Sequence, residues 1–146
     1  QPSQKIARSF HPGINPMSNA NIIIAVRDTD LRLSLDLMLR DESYLNVLGT
    51  VSTLQSTLGL IRIESPDLIL LEWAMCICPI EEILEEIEEH SPNSKVILLG
   101  NSTNQEPLAR QCGADAYLRI GGAPDSLRST IKNLIMKASE TTQVKE

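Results

Sequence analysis

The sequence predicts a doubly wound α/β domain, a parallel sheet covered by helices on both faces. Three observations carry that prediction. Short apolar runs alternate five times with segments of helical period, and the connections between them are short. The third run, "PDLILLE", has four aliphatic residues among the five from Asp67 to Leu71, as expected of a strand buried on both faces. Polar, charged or glycine residues then follow the runs, at the carboxyl ends where open α/β sheets place their sites. Those ends are Val26–Arg27–Asp28, Glu72–Trp73, Gly100–Asn101–Ser102 and Arg119–Ile120–Gly121.

The elements follow in order. "NIIIAV" from Asn21 is the first strand. "DLRLSLDLMLR" is the first helix, with Leu31, Leu35, Met38 and Leu39 on one face. "YLNVLGTV" is the second strand. The second helix, "TLQSTLGLIRIES", aligns Leu54, Leu58 and Ile61, and Gly59 weakens it slightly. After the third strand, a helix begins near Pro79, a favourable first-turn residue. Its Ile80, Ile83, Leu84 and Ile87 fall at i, i+3, i+4 and i+7. "KVILLG" is the fourth strand, and "NQEPLARQCG" is a short helix closed by Gly113. "DAYLRI" is the fifth strand. "APDSLRSTIKNLIMKA" is the last helix, with Leu127, Ile131, Leu134 and Ile135 facing inward.

Residues 1–16, with three prolines and no apolar period, are expected to lie outside the fold as a leader appended ahead of Met17 or as a disordered arm. The folded domain is expected over 17–138, with 139–146 a polar tail or linker. A chain of 146 residues, 42% hydrophobic and 22% charged, suffices for one domain with a real core. No apolar run reaches the roughly 20 residues that span a bilayer, and the N-terminus lacks a signal peptide's apolar core, so the expected location is the cytoplasm with no membrane contact. From residue 17 onward, 11 basic residues stand against 19 acidic ones, a net charge of −8. Such a surface repels a phosphate backbone, so no direct nucleic-acid binding is expected of this domain. "EEILEEIEEH", Glu81 to His90, holds much of the surplus and reads as a solvated helix face, with a docking patch for a basic partner as the alternative. Cys76, Cys78 and Cys112 are too few for a disulfide framework. His11 and His90 show no spacing that would complete a zinc site with them, so structural or incidental thiols are expected and no metal.

At these residues the chain resembles the response-regulator receiver domain of two-component signalling, a chemotaxis-type, flavodoxin-like module. The likeness covers about residues 20–138. It rests on "PDLILLEWAM", on "GADAYL" from Gly113 to Leu118, and on the order and spacing of all five units. It looks nearest to receivers that precede a DNA-binding helix-turn-helix, with "IGGAPDSL" in place of their last loop. The resemblance implies strand order 2-1-3-4-5. It also implies a phosphorelay chemistry in which an aspartate after strand three attacks a phosphoryl donor while Mg²⁺ neutralises the developing charge. Two acids after strand one help to hold that ion in an octahedral oxygen shell. A hydroxyl after strand four and a lysine after strand five complete the set.

The sequence departs from the family at each of these positions. Glu72 stands at the phosphoacceptor position, Val26 and Arg27 at the acidic pair, Gly100 at the hydroxyl and Ile120 at the lysine. Tyr117 alone matches, at the family's switch aromatic. The expectation is therefore a pseudo-receiver with no catalytic residue, no metal and no cofactor, signalling through protein contacts without phosphorylation. An Arg27–Glu72 ion pair is expected in place of the Mg²⁺–Asp site, since arginine keeps its charge and pairs bidentately with a carboxylate. The alternative is an Arg27 that points to solvent while Glu72 accepts backbone hydrogen bonds. Asp28 occupies a loop position that some receivers fill with a third acid, Asp30 is expected to cap the first helix, and Ser102 offers a substitute hydroxyl. Trp73 is expected to pack on the third helix. The resemblance places the contact face on the fourth helix, fifth strand and fifth helix, around Tyr117 and Arg110. That face would take a protein partner, a second copy of the chain among the candidates, and the protein would be the regulatory domain of a transcription factor. Two alternatives stand beside this reading: a degenerate receiver still phosphorylated on Glu72, and a small flavodoxin-like enzyme or nucleotide binder. The last lacks a glycine in the first turn, "VRDTDL", to admit a phosphate.

Overall fold

The computed structural model describes residues 19–144, and the segment 1–16 lies outside the described residues. Five strands form one parallel sheet in the order β2-β1-β3-β4-β5. In chain order the elements are β1 (Ala20–Ala25), α1 (Thr29–Arg40), β2 (Leu45–Val51), α2 (Leu54–Glu64), β3 (Leu68–Glu72), α3 (Ile80–His90), β4 (Lys95–Gly100), α4 (Glu106–Gln111), β5 (Ala116–Arg119) and α5 (Pro124–Val144). Single 3₁₀ turns, Trp73–Met75 and Thr103–Gln105, follow β3 and β4. Among the described residues no helix is long and apolar enough to cross a membrane.

Alternation along the central strands divides the core into two layers. Ile22, Ile24, Leu70, Ile97 and Leu99 pack against Leu35 and Leu39 of α1 and Leu127 and Ile131 of α5. Ile23, Ile69, Leu71 and Leu98 pack on the other face against Ile61 of α2, Ile83, Leu84 and Ile87 of α3, and Ala109 of α4. Every residue of β3 is buried, as its unbroken aliphatic run requires, and this includes the carboxylate that ends it. The β1–β2 register slips between Ile22 and Ile23, which pair with Val47 and Gly49 and leave Leu48 as an extra residue.

Helix ends depart from the sequence expectations in three places. Asp28, not Asp30, caps α1: its Oδ1 accepts the Leu31 amide at 2.9 Å, while Asp30 lies in the first turn. Pro79 is the cap of α3 rather than its first residue. The last helix runs to Val144, past the expected boundary at residue 138, because "ASETTQV" contains neither glycine nor proline to stop it. Gly113 closes α4 as expected, at φ 109°.

Candidate functional site

The carboxyl ends of the strands hold two side-chain networks, one on each face of the sheet. The first is built on Glu72. Its residue parity on β3 directs it toward the turn between β1 and α1, where only 6% of it remains exposed. Its Oε1 accepts the Arg27 amide at 2.6 Å and, more weakly, the Asp28 amide at 3.4 Å. Backbone N–H groups thus satisfy the buried charge.

The Arg27–Glu72 ion pair expected from sequence does not form. Arg27 gives Glu72 its backbone amide and carries its guanidinium outward, exposed, and no ion pair joins the two among the described residues. The reason is alternation. Val26 continues the parity of Ile22 and Ile24 into the α1–α5 layer, the side that Glu72 also takes from β3, so the Arg27 side chain is turned to the opposite side of the sheet, past the strand end where it is exposed. The arginine that does enter is Arg32, one turn into α1. Its Nη1 donates to the Val26 carbonyl at 2.8 Å and to the Arg27 carbonyl at 3.1 Å. Glu72 and Arg32 therefore hold the same turn, one through its amides and the other through its carbonyls. Sequence reasoning missed Arg32, and its only signal is a basic residue in the first turn of a helix, where the macrodipole disfavours it.

This end of the sheet does not fit Mg²⁺. A hard cation needs several convergent oxygens. Here Val26 is apolar, Asp28 is engaged as a cap, and one oxygen of Glu72 holds an amide. Arg32 already occupies carbonyls of the turn. Among the described residues no three His, Cys, Asp or Glu side chains cluster as metal ligands. Cys76 lies beside this site with its Sγ 3.7 Å from the Glu72 carbonyl. Burial, with the added influence of Cys78 and Glu72, pushes its thiol up to about 12, so it is a neutral thiol at physiological pH and a poor ligand or nucleophile. Cys76, Cys78 and Cys112 are all free.

The second network lies on the α3–α4 side and is built on Tyr117. The ring is buried, and its hydroxyl donates to the Ser102 carbonyl at 2.6 Å and is 2.8 Å from Gln105 Oε1. The Ser102 amide reaches the same hydroxyl at 3.3 Å, and Gln105 Oε1 also accepts the Asn101 amide at 3.0 Å. Trp73 meets the Tyr117 ring edge-on, with centroids 6.1 Å apart and planes at 79°, so Tyr117 is the aromatic partner of a residue expected to pack on the third helix. Gly100 makes this arrangement possible. A β-carbon there would overlap the Tyr117 hydroxyl and Gln105 Oε1 and would sit 2.6 Å from Tyr117 Cε1. The missing hydroxyl side chain and the inward tyrosine are thus one steric fact. Ser102 does not replace that hydroxyl, because its Oγ caps the 3₁₀ turn by accepting the Asn104 amide at 3.1 Å. Asn101 is exposed, and Ile120, at the family's lysine position, packs against the α1–α5 layer. Gln105 was invisible to sequence reasoning, since nothing in "NSTNQEP" marks it as a half-buried acceptor.

No protein-family model and no curated protein matches this sequence. Solved structures do match, and they are receiver domains of response regulators. A DNA-binding response regulator of the LuxR family from Staphylococcus aureus is 22% identical over 80% of this chain and 98% of its own, with TM-score 0.71. A CheY-like receiver domain protein from Methanospirillum hungatei is 24% identical over 85% of this chain and 99% of its own, with TM-score 0.73. CheY6 from R. sphaeroides, solved in complex with the P1 domain of CheA3, is 20% identical over 82% of this chain and 98% of the matched chain, with TM-score 0.72. The chain thus has the CheY-like receiver fold.

Substitutions in both networks test this geometry. Glu72→Ala leaves the buried Arg27 amide without its acceptor and is expected to cost about 1–3 kcal/mol in urea denaturation. Arg27→Ala should stay within about 0.5 kcal/mol of the parent, because only its backbone is engaged. Gly100→Thr should expel the Tyr117 ring, cost about 1–3 kcal/mol as an overpacked site, and shift the emission of Trp73, the sole tryptophan, to the red. In a double-mutant cycle Gly100→Thr should cost less when Tyr117→Ala is already present, a coupling of about 0.5–3 kcal/mol, and strictly additive costs would contradict the steric coupling.

Proposed function

We propose that this protein is a pseudo-receiver, a signalling module whose output depends on protein contacts and not on phosphorylation. The observation that carries this reading is the Gly100–Tyr117 packing. In a phosphorylatable receiver the hydroxyl at position 100 and the aromatic at 117 would be separate groups, free to move against each other. Here the tyrosine fills the hydroxyl's space and is held there by Ser102 and Gln105. The chemistry around Glu72 supports the same reading. Its Oε1 is committed to the β1–α1 turn, Val26 and Arg27 supply no carboxylate, and Ile120 supplies no cation. Glu72 is then a structural acceptor that holds a turn, rather than a permanent imitation of a phosphoryl group.

The contact surface in this reading is the α4–β5–α5 face. Tyr117 anchors the loop that leads into α4, and on α4 the exposed Leu108 stands beside the Arg110–Glu106 ion pair. A second copy of the chain is one partner such a face can take. The likeness to a LuxR-family regulator favours a role as the regulatory domain of a transcription factor, with DNA contacts made elsewhere, because the acidic surplus of this domain opposes them. No cofactor or enzymatic activity belongs to this reading. Incubation with acetyl phosphate and millimolar Mg²⁺, followed by intact-mass spectrometry, is expected to return the unmodified mass. A near-stoichiometric phosphoryl adduct that Glu72→Gln abolishes would favour a degenerate but active receiver instead.

A further inference from the structure

Helix α3 is treated differently on its two flanks. On the α2 side Glu86 pairs with Arg62 at 3.1 Å and lies 3.5 Å from His90. On the α4 side Glu81, Glu85 and Glu88 fall at i, i+4 and i+7 along one stripe. None of these three joins an ion pair among the described residues, and α4 holds its own Arg110 on Glu106. Glu85 and Glu88 form the rim of a groove of about 280 Å³ between α3 and α4. Leu84 and Cys112 give its floor an apolar character. Space is open beside Gly113, where a β-carbon would meet no atom outside its own chain neighbours within 4 Å. The groove thus has an apolar floor and a row of carboxylates that repel one another and find no counter-charge on α4.

The chain carries a segment of matching chemistry. Its first 26 residues contain two charges, Lys5 and Arg8, both positive, within "KIARSF". The topology brings that segment within range. Ala20 opens β1 at the amino edge of the sheet, and α3 and α4 end at the same edge, ahead of β4 and β5. Two strand spacings of about 4.8 Å separate β1 from β4, and the groove lies about one helix diameter, 10–12 Å, outside the sheet. The 12 residues from Arg8 to Ala20 can reach about 40 Å, which covers that span with slack. We propose that residues 5–8 dock in cis in the α3–α4 groove, with Lys5 and Arg8 on the stripe of Glu81, Glu85 and Glu88 and Ile6 against Leu84 and Cys112. Exposed ion pairs are individually weak, but a short tether holds the segment at an effective concentration of about a millimolar. Docking shields this flank of α3 from other basic segments, and it does not rest on the pseudo-receiver reading.

The test is amide NMR of the full chain and two double variants, Lys5→Gln/Arg8→Gln and Glu85→Gln/Glu88→Gln. All four positions lie outside the described core, so both variants are expected to fold. Lys5→Gln/Arg8→Gln should shift the amides of Glu85, Glu88, Cys112 and Gly113, far from the substituted residues in sequence. Glu85→Gln/Glu88→Gln should reciprocally shift the amides of residues 5–8. Raising NaCl to about 0.5 M should reproduce the groove shifts in the parent and leave them nearly unchanged in Lys5→Gln/Arg8→Gln, because salt screens exposed pairs. Three results would overturn the proposal: no response of the groove amides to Lys5→Gln/Arg8→Gln, equal responses at Glu82 and Glu86 on the α2 side, or shifts that grow with protein concentration, which would place the segment on a second copy.

Discussion

Position 100 has room for a hydrogen and nothing larger, and the arrangement of the sheet's carboxyl end on the α3–α4 side depends on that. With no side chain at Gly100, the Tyr117 ring lies against the end of β4 and its hydroxyl reaches the backbone of Ser102. Gln105 is drawn in to share that hydroxyl and the Asn101 amide, which sets the 3₁₀ turn that leads into α4. Trp73 then closes over the ring from the end of β3. Four segments of chain are tied to one phenol. A side chain at position 100 would disturb all of them together, because close-packed interiors yield in discrete rearrangements and not by small local give.

The other face solves a different problem, a buried carboxylate. Burying an ionised group is costly unless hydrogen bonds compensate it, and Glu72 finds them in the β1–α1 turn. The extra methylene of glutamate over aspartate helps it to reach across from β3 to the Arg27 amide. Arg32 completes the turn by taking its carbonyls, so the polar groups of the loop are satisfied from within the protein. The amides and carbonyls of this turn are in this way met by covalently attached groups, and the guanidinium one turn into α1 bonds to backbone oxygens.

The strands and helices could be read from the sequence because their apolar periods are strong and their connections short. "LILLE" permits little except a doubly buried strand, and Ile80, Ile83, Leu84 and Ile87 leave one face for α3 to bury. The positions around the site were legible for the same reason, since strand ends fix where Glu72, Gly100 and Tyr117 must fall. What those residues touch was less accessible. The Arg27–Glu72 pairing failed because the adjacency of two strand ends says nothing of side-chain direction: Val26 takes the side of the sheet that Glu72 faces, and Arg27 takes the other. Assigning the cap to Asp30 in place of Asp28 was a slip of two residues at a helix start, where boundaries are weakest. Arg32 and Gln105 were missed because each acts on backbone atoms, which no residue pattern identifies. The tie between Gly100 and Tyr117 needed the third dimension, although both positions had been singled out separately.

The most direct measurement is an amide NMR titration with beryllofluoride and Mg²⁺, a phosphoryl mimic that needs an available carboxylate, a metal site and a hydroxyl free to engage it. With Tyr117 fixed inward over Gly100 and Glu72 committed to the Arg27 amide, the resonances of Arg27, Gly100, Ser102 and Tyr117 should not move. Saturable shifts at those four amides, lost when Mg²⁺ is withheld, would show that the site still binds a metal-supported phosphoryl group and that the tyrosine is not locked.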